Sequence, residues 1–77
     1  MKEVNSVNGD EERKLRVLLD YWVRHNEEHG QEFREWAEKA RDFGEVAVHN
    51  ELVAAAEGMD KANASLARAL KELEREK

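Results

Sequence analysis

Cysteine and proline are both missing from this chain of 77 residues, and Ser6 and Ser65 are its only serines. Without cysteine there is no disulfide and no thiolate ligand or nucleophile, which is compatible with a reducing compartment. Without proline no residue fixes φ or removes a backbone donor inside a helix, so helix breaking falls to four glycines. Aromatic residues make up only 6% of the chain. Positive charge is also in deficit: eighteen acidic residues against thirteen basic give a net charge of -5. A chain so balanced lacks the broad basic footprint that binds phosphate backbones, so no nucleic acid partner is expected. Long apolar runs are missing too, and the segment from Met1 to Val7 has none of the hydrophobic character of a secretion signal. No membrane role and a cytoplasmic location are the expectation.

Familiar catalytic patterns are equally scarce. There is no glycine-rich phosphate loop and no zinc-protease motif. The Glu-x-x-His pairs of diiron helical bundles fail because residue 26 is Asn where a Glu would precede His29. We expect no enzyme and no obligatory cofactor.

What is present is charge and helix-forming apolar residues, 40% of the chain each, the composition of long helices and coiled coils. Residues 1–9 mix Asn, Ser, Gly and isolated Val without period and read as a flexible tail ahead of a single helical domain over 10–77. Asp10, followed by Glu11 and Glu12, suits a helix start. From Leu15 the apolar and semi-apolar positions fall at Leu18/Leu19, Trp22, His25/Asn26, His29, Phe33, Trp36, Ala40 and Phe43, in alternating steps of three and four. That pattern predicts a first helix over about 10–43, with Phe43-Gly44 as its stop. A second stripe, His49, Leu52, Ala56, Met59, Asn63, Leu66, Leu70 and Leu73, predicts a helix over about 45–75. Beside it Val48, Ala55, Ala62 and Ala69 recur every seven residues and form a flank of small side chains.

Two helices of roughly 30 residues, about 45 Å each, joined by a short loop fold back as an antiparallel αα-hairpin. Folding about Gly44 pairs positions whose numbers sum to about 88, which brings Asn26 and Asn63 into one polar layer. A lone hairpin leaves one side of its stripes in water, so a homodimer completing a four-helix bundle is expected. The alternative is a monomeric three-helix bundle with a break near residues 25–30, where Gly30 and the capping residue Asn26 lie, and helices near 10–25, 27–43 and 45–75.

His25 and His29 stand one helical turn apart, a spacing that can chelate nickel, zinc or a related ion through two ring nitrogens. Glu28 and Glu32 are the nearest carboxylates to join them, and a second His25/His29 pair can come from a partner in a dimer. The plainer reading makes the histidines core-edge residues bonded to Asn26, Asn63 or a glutamate. A third reading makes them a pH-sensitive layer, since imidazole titrates near neutrality. His49 lies near the turn, roughly 20 Å from His29 at helical rise, and is expected to share no site with it. Trp22 and Trp36, on the apolar stripe, read as core rather than as a stacking platform.

The run Leu-x-x-Trp-x-x-His-Asn-Glu-Glu-His-x-x-x-Phe-x-x-Trp-Ala-x-x-Ala from Leu19 to Ala40, followed by an Ala/Leu-rich helix with Ala62-Asn63, resembles a small uncharacterised helical domain. That domain occurs alone or appended to CooT-type nickel-binding proteins. The resemblance spans roughly residues 14–75 and implies metal handling carried by His25, Asn26 and His29, with Gly30 standing where the pattern has alanine. The functional expectation is therefore a non-enzymatic interaction and dimerisation module, with a nickel or zinc accessory protein as the alternative.

Overall fold

The computed structural model describes residues 5–75, and these form two helices, α1 (Asn5–Asp42) and α2 (Val46–Arg75), with no strand among the described residues. The helices pack along one another as a hairpin. The molecule is a rod of 58 × 17 × 15 Å, close to the about 57 Å that 38 residues of α-helix span.

One turn decides the topology. Gly44 adopts φ +87°, the left-handed region that side chains disfavour. Its N–H donates to Arg41 O (2.9 Å), and the Glu45 N–H reaches back to Ala40 O (2.8 Å). These are the two bonds of a Schellman cap, which satisfies the carbonyls that a helix end leaves unpaired. Glu45 then opens α2 by accepting from the His49 N–H at 2.9 Å. The chain thus reverses in three residues, as the Phe43-Gly44 signal predicts.

The three-helix alternative is overturned, because α1 runs unbroken through residues 25–30. Gly30 is buried, and a Cβ built on it would lie 3.6 Å from Met59 Cβ, so the glycine sits in the helix interface rather than at a break. Packing against α2 offsets the weak helix propensity of the glycine, about 1 kcal/mol against alanine. The helix also begins at Asn5, ahead of the expected Asp10. Asp10 accordingly lies inside α1 and meets Arg13 at 3.5 Å instead of capping the helix. Of the expected tail, residues 5–9 belong to α1 and residues 1–4 lie outside the described residues.

The core is thin. Among the described residues the buried apolar side chains are Leu19, Ala37, Ala40 and Ala56, three of them alanines that let the helices approach closely. Larger side chains lie at the flanks: Trp22 is 38% exposed and Trp36 54% exposed. The core placement expected for the tryptophans therefore does not hold within one chain, where two helices offer no third element to cover them. The helical period of 3.6 residues puts Leu18, Trp22, His25, His29, Trp36 and Phe43 along one side of α1. In the antiparallel arrangement the same side of the hairpin carries Val48, Ala55, Ala62, Leu66, Ala69 and Leu73 from α2. The opposite side is polar and is bridged between the helices by Arg34 and Asp60 at 2.7 Å. The hairpin is two-faced, one side apolar with a histidine pair near its middle and one side charged.

Candidate metal-ligating site

The histidine pair owes its geometry to helical spacing alone. Side chains at i and i+4 stack one above the other, and α1 uses this spacing three times running, through Tyr21, His25, His29 and Phe33. The Tyr21 and His25 rings stack at 5.3 Å, His25 and His29 meet edge to face at 4.4 Å, and His29 and Phe33 stack at 6.1 Å. Aromatic rings above and below thus restrict both imidazoles.

Between the two imidazoles, His25 Nε2 and His29 Nε2 lie 3.1 Å apart. On its far side His29 turns Nδ1 towards Glu32 Oε1 at 3.3 Å. In the contact between the two imidazoles one Nε2 donates and the other accepts, and the tautomer sets which. The unit Glu32–His29–His25 is thus a chain of one charge contact and one nitrogen–nitrogen hydrogen bond. A carboxylate behind an imidazole is also the arrangement that orients a metal-ligating histidine.

Of the four residues expected at a metal site, the structure joins His25, His29 and Glu32. Among the described residues Glu28 makes no hydrogen bond or ion pair with either imidazole. It lines a shallow groove on the outer flank of α1 with Tyr21, Arg24 and His25. Arg24 in that groove has its pKa raised by its hydrogen bond to Asp20 and by the charge of that carboxylate. No group of three or more His, Cys, Asp or Glu side chains able to hold a metal ion occurs among the described residues. A single chain thus offers two nitrogens and a supporting carboxylate.

The asparagine layer forms as the register requires. Asn26 Nδ2 donates to Asn63 Oδ1 at 3.0 Å, and Asn63 Nδ2 donates to Val23 O at 3.0 Å. Neither asparagine bonds a histidine, so the reading that ties the imidazoles to this layer gives way to the histidine–histidine–glutamate contact. His49 stands apart, as expected, with Nδ1 donating to Ala37 O at 2.8 Å. The bond goes to a backbone carbonyl, which pairing side chains by residue number does not reach.

The sequence matches the family described as Domain of unknown function (DUF8180) over residues 15–73, which takes in both helices and the turn. Nothing in that match connects the chain to CooT-type nickel-binding proteins. No curated protein and no solved structure matches it.

Proposed function

From a chain that belongs to the DUF8180 family, whose description assigns no activity, we propose a non-enzymatic self-association module: two hairpins pair through their apolar faces into a four-helix bundle. The observation that carries this reading is surface area. A compact chain of 8.9 kDa exposes about 4,800 Å² by the size scaling of folded monomers, whereas this chain exposes 5797 Å². The surplus of about 1,000 Å² is close to the roughly 800 Å² that each partner buries in a standard protein interface. It is also apolar where it matters, with Leu15, Leu18, Trp22, Trp36, Phe43 and Val48 all exposed. A second copy is the occupant that fits, because an isologous contact about a two-fold axis buries this same apolar face on both chains at once.

Multi-angle light scattering across micromolar concentrations tests this directly. The expected mass is twice that of one chain, and Leu18→Glu, which places a charge in the middle of the face, is expected to return the protein to a monomer. A wild-type mass of one chain at tens of micromolar overturns the reading.

A second reading, a nickel- or zinc-handling protein, is favoured by one distance, the 3.1 Å between the two Nε2 atoms. Two nitrogens bound at about 2.0–2.1 Å to one tetrahedral ion lie about 3.3 Å apart, so the apo pair already has the spacing of a chelate.

A further inference from the structure

We propose that the two readings are one device: His25 and His29 of two chains converge on the two-fold axis of the dimer and together hold one late first-row divalent cation. The inference rests on the self-association reading and deepens it by naming the ligand and the residues that bind it.

The argument begins with what one chain lacks. Two imidazoles make half of a tetrahedral site, and none of the described residues completes it. The remaining ligands must come from water or from another molecule. The pattern of α1 favours another molecule. If α1 meets its own copy antiparallel with positions whose numbers sum to about 54 opposed, the middle of the stripe meets apolar or histidine partners. Leu18 faces Trp36 of the second copy and His25 faces His29, with Trp22 beside Glu32. Leu18 and Trp36 project from the same side of α1 as the histidines and lie about equally far from them along the helix. An isologous contact centred near Glu27 thus places two histidine pairs at its midpoint with apolar layers above and below. No other antiparallel register of α1 on α1 sets both histidines opposite histidines at once.

The chemistry follows from the donor set. Neutral imidazoles suit zinc, copper, nickel and cobalt and bind magnesium or calcium poorly. Binding takes both Nε2 lone pairs, so each imidazole that ligates carries its one proton on Nδ1, and the proton shared in the His25–His29 contact moves to the other ring nitrogen. Glu32 stands behind His29 in each chain and acts as a positioning residue, holding the ring with Nε2 towards the ion.

Zinc chloride titrated into the full chain, followed by native mass spectrometry and calorimetry, decides the matter, with light scattering of the metal-free protein run beside it. The expected result is one zinc ion per two chains. Cobalt is expected to give the intense visible absorption of a tetrahedral site. His25→Ala and His29→Ala should each abolish binding while leaving helicity intact, His49→Ala should bind as wild type, and Glu32→Gln should weaken binding by about tenfold. One zinc ion per chain, or no zinc at all, overturns the shared site, and if the metal-free protein is still a dimer the self-association reading survives that failure. A monomer that dimerises only on adding zinc, and does so only with both histidines present, supports the shared site and overturns metal-free self-association. A chain that stays monomeric with and without zinc removes both.

Discussion

At the scale of single residues, the contact between Asn26 and Asn63 is the most specific device in the molecule, because a hydrogen-bonded amide pair tolerates only one register. Asn63 makes two such bonds, to Asn26 Nδ2 and to Val23 O. Asn63→Ala is expected to destabilise the fold by about 1–3 kcal/mol, and an Asn26→Ala/Asn63→Ala double-mutant cycle in urea should show coupling of about 1 kcal/mol. Additive single mutants would mean that the amides act independently. The glycines invert this expectation. Gly58 has nothing within 4 Å of a built Cβ, and Gly30 has Met59 at ordinary contact distance, so alanine fits at both. Each change to alanine should raise stability by about 0.5–1 kcal/mol, read as a higher midpoint of thermal unfolding. A loss at Gly30 but not at Gly58 would show that the helices cross more tightly there than the 3.6 Å contact indicates.

The asparagine pair was readable in the sequence because heptad spacing and one turn residue fix the register on their own. The histidine contact was readable for the same reason, being a matter of one helical turn. The choice of Glu32 over Glu28 was not, since both lie near the pair by counting and only the side-chain path decides which carboxylate reaches a ring. The exposure of Trp22 and Trp36 was not readable either, because an apolar stripe does not say how many elements are present to cover it.

At the scale of elements, α1 and α2 are held by alanine contacts, the asparagine layer, His49 to Ala37 O and the Arg34–Asp60 bridge. The bridge is exposed on both sides, so Arg34→Ala should cost no more than about 1 kcal/mol, and less in high salt. Gly44 differs in kind. Its φ of +87° makes Gly44→Ala cost about 1–2 kcal/mol, although no atom obstructs the new Cβ. Chemical denaturation measures this, and an unchanged midpoint would mean that the turn can adopt another conformation. The turn was legible because glycine after a helical stripe has a specific backbone meaning. The start of α1 was less so, since Asn and Ser near the N-terminus serve a helix start as well as a loop.

At the scale of the whole molecule, a rod 58 Å long and about 17 Å across has too little interior to bury the large side chains it carries. That shortfall is what the paired bundle would remove, and it sets a practical expectation: size-exclusion retention will overstate the mass, so scattering is the measurement that counts. No helix among the described residues is long and apolar enough to cross a membrane.

The Gly44 cap has one more consequence, in the exchange of parts between molecules. It is the only covalent connection between two helices that otherwise recognise each other through side chains, and it stays closed because a left-handed glycine costs little. A residue that prefers right-handed helix at this position rewards the straight form, in which α1 and α2 become one helix. Each half of that long helix would then find its usual contacts on a second molecule, with the Asn26–Asn63 layer rebuilt between chains. The same glycine that makes the hairpin is thus what keeps every chain paired with itself.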